Sequence, residues 1–194
     1  MKAGSHHLAV YNFGVHTASY LAASVQGFAL REPLNFEAAT RAVGFVGRSG
    51  YAAEPGPESW GEQVFPRFLE EAGRTSGVSS LSLWQDIESL MAFTYSGVHA
   101  DALKHARHWN ERHAWPPLVL FWMNAGQLPT WTEAVERFEL LTDRGPTPQA
   151  FSFKSAFTSE GVPYAVDRER VKVFSIQNSK SQADLLSLIT TLPV

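Results

Sequence analysis

The chain has 194 residues, 44% of them hydrophobic and only 18% charged, with 16 Lys+Arg against 19 Asp+Glu and no Cys. The hydrophobic share suits one well-cored domain, and the missing Cys excludes a disulfide scaffold, thiolate metal sites and a cysteine nucleophile. A net charge of −3, with no dense Lys/Arg block, argues against nucleic acid as a partner.

The longest apolar run, Leu118 to Met123, falls far short of the roughly 20 residues a spanning helix needs, so no membrane span is expected. The N-terminus lacks the apolar segment of a signal peptide, which points to a cytoplasmic protein. Six Trp, five Tyr and 13 Phe supply enough flat apolar surface to wall a pocket.

Residues His7 to Val15 put Leu8, Val10 and Asn12 on one face and Ala9, Tyr11 and Phe13 on the other, the pattern of a central strand. From His16 to Pro33 the pattern is mixed and fits either a short amphipathic segment or an aromatic loop. Asn35 can cap a helix with Phe36, Ala39, Val43 and Val46 at helical spacing, ending near Gly47 to Gly50. Tyr51 to Gly61 reads as a Gly/Pro loop, and Glu62 to Glu71 as a strand or a helix broken by Pro66.

Ser79 to Trp84 alternates as a half-buried strand, and Asp86 then caps a helix over Ile87 to Phe93. Gly97 separates it from a second helix, about Val98 to His113. Leu118 to Met123 is a fully apolar strand, and Pro129-Thr130 introduces a helix through Leu141 with Trp131, Ala134, Val135, Phe138 and Leu141 on one face. Ala150 to Phe157 alternates as a strand. The tail after Thr158 holds one strand-like piece, Val171 to Ile176, and one apolar helical piece, Asp184 to Leu192. The order of elements predicts an α+β fold, with a domain over residues 1–157 and an extension over 158–194 packed on it or on a dimer partner.

Four His (His99, His105, His108, His113) crowd into fifteen residues. On one helix His99 and His113 share a face with Ala102, Ala106 and Trp109, while His108 points nearly opposite and His105 lies off the stripe, so the four do not converge on one ion. His99 alone stands at the start of the inward face among small residues, and one neutral imidazole is all a proximal haem ligand requires. Its structural alternative is a buried side chain that hydrogen-bonds the Gly97 turn. Trp84 and Trp109 divide in the same way between core and pocket wall, and Arg67 between an anion contact and a solvated arginine. No G-x-S-x-G, Walker or G-x-G-x-x-G motif occurs, and Glu70-Glu71 and the Glu133, Glu136 pair fit solvated helix faces.

His7-Leu8-Ala9 with Asn12, Leu83-Trp84 with Ile87-Glu88-Ser89-Leu90 and Ala92-Phe93, then Tyr95, His99, Trp109, Trp122, Gly126, Pro129-Thr130, Glu133-Ala134, Arg137-Phe138, Leu141, Gly145 to Pro148 and Ala150-Phe151 form a pattern over about residues 7 to 153. In that pattern the chain resembles a bacterial family of uncharacterised proteins with the ferredoxin-like, dimeric α/β-barrel fold. The stretch Ala92-Phe93-x-Tyr95-x-x-x-His99 with Trp109 is also similar to a segment of spheroidene monooxygenase, a haem-associated carotenoid oxygenase. The resemblance implies a homodimer formed through the sheet and a small-molecule pocket between sheet and helices. The function expected is that of a haem-dependent oxidoreductase or lyase, monooxygenase-like or dehydratase-like, acting on an apolar or amphipathic metabolite. His99 would hold the haem iron, with Trp84, Phe93, Tyr95 and Trp109 as wall and His7, Asn12 and Arg67 as candidate catalytic residues. A cofactor-free oxygenase or isomerase, or a non-catalytic binding protein, is the alternative.

Overall fold

The alternation at the start of the chain becomes β1 (His6–Gly14), an inner strand of a four-stranded sheet in this computed structural model, which describes residues 6–193. The first five residues and the last, at the outer ends of the two expected domains, lie outside the described residues. β1 pairs antiparallel with β3 (Val78–Trp84) on one side and β4 (Leu118–Asn124) on the other, and β2 (Phe45–Arg48) completes the order β2-β3-β1-β4. One helical connection joins β1 to β2 through α1 (Gln26–Thr40), and another joins β3 to β4 through α3 (Ile87–Thr94) and α4 (Gly97–Trp109). This β-α-β-β-α-β order and strand order are compatible with a ferredoxin-like fold in the α+β class.

The chain divides into two units: residues up to 15, 46–87 and 113–166, and residues 16–45, 88–112 and 167 onward. In the first, the register Tyr11↔Leu81 and Tyr11↔Val119 aligns Ala9, Tyr11, Phe13, Leu81, Leu83, Val119, Phe121 and Met123 on one face. α5 (Trp131–Arg144) lays Trp131, Ala134, Val135, Phe138 and Leu141 on it, joined by Tyr51, Trp60, Phe65 and Phe68. Thr130 caps α5 as its sequence suggests, its hydroxyl oxygen accepting from Glu133 N at 3.1 Å.

On the opposite face Leu8, Val10, Trp84 and Leu120 are also buried. Beyond β4, Leu120 and Phe151 exchange two backbone hydrogen bonds, at 2.8 and 2.9 Å, which covers part of that edge.

Four expectations need correction. The helix placed after Asn35 begins at Gln26 and runs through Pro33, and Asn35 sits inside it with Nδ2 donating to the Arg31 carbonyl at 3.0 Å. It stops at Thr40, and after Gly44 (φ 75°) residues 45–48 are strand; at Glu62 to Glu71, expected as a strand or a helix broken by Pro66, the short helix α2 (Phe68–Glu71) follows that proline. Ala150 to Phe157 is no continuous strand: local turns at Thr147–Ala150 and Ser152–Ser155 take up its hydrogen bonds, leaving β5 (Ala156–Phe157) paired with β6 (Pro163–Tyr164). Val171 to Ile176 is helical, within α6 (Arg168–Ser181), because the Asp167 carboxylate accepts from Glu169 N and Arg170 N, both at 3.1 Å, and caps it. α7 (Ala183–Ile189) lies where an apolar helix was expected.

In the second unit α1 packs on α4 and α7, and α4 on α6 and α7. Gln182 ties three of these helices, its Oε1 accepting from Val98 N (3.1 Å) at the start of α4 and its Nε2 donating to the Ala38 carbonyl (3.2 Å) of α1. Gly97 has φ 58°, and a Cβ there would collide with the Gln182 amide. Gly97→Ala is expected to destabilise the protein by about 2 kcal/mol through backbone strain and overpacking, read as a lower urea midpoint. No helix among the described residues is long and apolar enough to cross a membrane.

Candidate functional site

α3 ends at Thr94 and α4 starts at Gly97, so their junction places His99 one turn into α4 and close to the free carbonyls at the end of α3. His99 Nδ1 lies 2.9 Å from the Thr94 carbonyl oxygen. A carbonyl only accepts, so Nδ1 carries the proton and Nε2 the lone pair. Burial pushes the His99 pKa below the ordinary imidazole value, and the Thr94 carbonyl acts against that shift. This bond is the one the structural alternative required, and it also leaves Nε2 as an acceptor.

The residues expected around His99 have unequal surroundings. The Phe93 ring lies 4.9 Å from the imidazole, centroid to centroid, at 51°. Tyr95 is 59% exposed. Trp109 ends α4, and its buried ring meets Phe28 at 6.1 Å and His105 at 6.1 Å, with the Arg31 guanidinium carbon 5.2 Å from its centroid. Trp84 belongs to the sheet unit, is fully buried, and donates from Nε1 to Ser82 Oγ at 3.0 Å.

The three candidate catalytic residues are not brought to one point. His7 and Asn12 stand five positions apart on β1, which puts them on opposite faces of the sheet. Asn12 Oδ1 accepts from Ser80 Oγ at 3.0 Å. Arg67 is engaged on the surface by Asp143 (2.6 Å), Glu139 (3.1 Å) and Glu71 (3.2 Å), and its bond to Asp143 is the main cause of a raised pKa. With three carboxylates around it, Arg67 has little charge to offer an anion.

Charge and polarity concentrate instead where α1 meets α4. Arg31, nearly fully buried, donates to Asp101 Oδ2 at 2.8 Å, to the Gly27 carbonyl at 3.0 Å and to the Pro193 carbonyl at 2.6 Å. Asp101 Oδ1 lies 3.7 Å from His105 Nε2. Residues 16–17 run along the end of α4, with Thr17 N donating to the Trp109 carbonyl at 2.9 Å. Among the described residues no group of three or more His, Asp or Glu is placed to hold a metal ion.

A family model for a domain of unknown function, DUF3291, matches residues 7–167. The chain belongs to the DUF3291 family. No curated protein and no solved structure matches it. The DUF3291 match takes in the sheet from His7 onward, α1 to α5 and every site residue expected from the sequence, and it ends at Asp167, the cap of α6.

Sequence reasoning missed His16, Arg31, Asp101 and Asn110 in this DUF3291 chain. Arg31 and Asp101 are 70 residues apart, and no periodicity connects them. The one available signal was an arginine inside a segment otherwise rich in aromatic and small residues.

His16 and His99 share a pH consequence. Burial is the largest influence on both and holds both below the imidazole value of about 6.5. As pH falls through that value the unfolded chain takes up protons that the folded chain refuses, so the stability present above it is lost on acidification. The melting temperature is expected to fall between pH 7 and pH 5, and His16→Phe to flatten part of that fall.

Proposed function

We propose that this DUF3291 protein is a haem-dependent enzyme, monooxygenase-like or dehydratase-like, acting on a small apolar or amphipathic metabolite, with His99 as axial ligand. The observation that supports this reading is the Nδ1–H bond of His99 to the Thr94 carbonyl. Metal-ligating histidines characteristically make this second bond, which fixes the tautomer and ring orientation and makes the ligating nitrogen more basic. With its pKa lowered, the imidazole is neutral at pH 7 and its Nε2 lone pair is free of a proton. One such donor fits haem, whose macrocycle brings its own equatorial nitrogens, and does not fit a bare ion that needs several protein ligands.

When bound, haem would supply the iron chemistry of oxygenation or dehydration. The chain's own residues would orient and shield: Phe93 offers an apolar ring beside the imidazole, and Tyr95 an accessible phenol to a polar substrate group. Trp84 and Trp109 serve packing in this reading. With the resemblance goes a homodimer formed through the sheet, which the molecular mass in solution tests.

The cofactor-free oxygenase or isomerase stays as the second reading, favoured by a half-buried His16 whose pKa is lowered and which lies beside Asn110, residue types able to handle protons. Growth with haem precursor and haemin titration of the purified protein distinguish the two. The haem reading expects a Soret band that saturates near one equivalent per chain, and no Soret absorption in either experiment would contradict it.

A further inference from the structure

α6 is fastened to its own chain by polar groups and keeps apolar ones outside. Its fully buried residue is Asn178, whose Oδ1 accepts from Val43 N at 2.9 Å, while Val171 and Phe174 are only half-buried. At its start the Glu88 carboxylate accepts from Asp167 N at 3.1 Å and faces Arg170 at 3.5 Å. Val173 and Ile176 are 51% and 50% exposed. A helix that serves only its own chain directs its apolar stripe at the core, so this pair belongs to a surface that something else covers.

The residues around the pair are ordered. Glu169, Val173, Ile176 and Lys180 follow one another at intervals of four, three and four residues, the spacing of a coiled-coil seam, and so share one stripe of α6. All four are exposed, as are Lys172 and Gln177 beside them. The acid stands at one end of the stripe and the base at the other, about 16 Å apart along the helix, too far to pair with each other.

That order is complementary to itself in one orientation. When two copies of α6 lie antiparallel about a two-fold axis between residues 174 and 175, Val173 faces the partner's Ile176 and Glu169 faces the partner's Lys180. Symmetry makes each contact twice, and Lys172 meets the partner's Gln177 rather than a like charge. A parallel pair would set acid on acid and base on base, which opposes association. α6 lies beyond Asp167, where the family match ends, so this surface belongs to the extension and not to the DUF3291 domain.

We propose that α6 is a docking surface for a second copy of this chain, the two helices crossing antiparallel with Val173 and Ile176 at the centre and an ion pair between Glu169 and Lys180 at each end. Four turns of helix per chain cover less than the about 1,200 Å² at which standard interfaces begin, so the pair forms and separates readily with concentration. The contact uses none of the strands through which the resemblance would join two copies, and it is independent of haem.

Sedimentation of the full chain from low micromolar to several hundred micromolar tests this, beside Glu169→Lys, Lys180→Glu, the two exchanged together, and Ile176→Asp, with a melting curve for each. The wild type is expected to gain mass with concentration. Either single reversal sets like charges together twice and weakens association about tenfold, Ile176→Asp weakens it further, and the double exchange restores the wild-type affinity. A mass that does not rise with concentration overturns the proposal, as does a rise that none of the four variants changes or a double exchange no better than the single reversals. A dimer formed through the sheet survives all four variants, so its failure and that of the helix contact are read apart. Binding of a monomeric chain to vesicles of phosphatidylserine and phosphatidylcholine, lost in Ile176→Asp, would give the surface to a lipid and overturn the proposal as well.

Discussion

Phe138→Ala lowers the stability of the protein by about 4 kcal/mol, the range found when a fully buried phenylalanine is truncated and its cavity only partly collapses. Phe138 is 0% exposed and stands at the centre of the contact between α5 and the sheet. Its ring lies edge-on to Tyr11 (5.6 Å, 82°) and Phe13 (5.8 Å, 83°), with Phe68 at 6.1 Å. Edge-to-face pairs add to the area term, so the loss exceeds that of an aliphatic side chain of similar size. Phe138→Leu keeps most of the volume and is expected to cost less than half as much, by equilibrium urea unfolding. Equal losses for the two variants would contradict this, since the volume that Leu retains would then contribute nothing.

Arg31→Met has the second largest effect, about 3 kcal/mol, because it removes one partner of a largely buried ion pair and leaves the other uncompensated. The Arg31 side chain is 3% exposed and that of Asp101 25%, so water relieves part of the penalty on Asp101. The Gly27 and Pro193 carbonyls lose their donor in the same step. Met retains the apolar length of the side chain beside the Trp109 ring, which separates charge from packing. Adding Asp101→Asn to Arg31→Met is expected to recover part of the loss, since no carboxylate then remains unpaired. A double variant less stable than the single one by the full cost of Asp101→Asn alone would mean the two side chains act independently.

The elements legible in the sequence were those whose own residues settle them. β1, β3 and β4 carry alternation or unbroken apolar runs, and α5 carries a cap at Thr130 and a five-residue apolar face. The elements that escaped depend on partners far along the chain. α1 runs through Pro33, a residue that ordinarily marks a boundary, while Arg31 within it is anchored from α4 and Pro193. β2 is four residues long at the sheet edge and has too little pattern to read. α6 exposes Val173 and Ile176 and buries Asn178, whose Oδ1 accepts from Val43 N at 2.9 Å, so its apolar residues do not trace the packed face.

The candidate site divides in the same way. That His99 would bond at the Gly97 turn was legible, since a helix junction leaves carbonyls within reach of the next turn. The surroundings of Trp109 were not, because Phe28, Arg31 and His16 reach it from a segment without a readable period. Arg67 was legible as a surface arginine, but not the three carboxylates that hold it, two of which lie on α5 more than 70 residues away.

The most direct test of the central claim is haemin titration of the intact protein beside its His99→Ala variant, with thermal melting of both. If His99 ligates iron through Nε2, the wild type develops a Soret band that the variant lacks or shows displaced, while the variant still melts cooperatively. A variant with a lowered melting temperature and a Soret response identical to wild type would contradict the ligand role and leave His99 as the hydrogen-bonded link between α3 and α4.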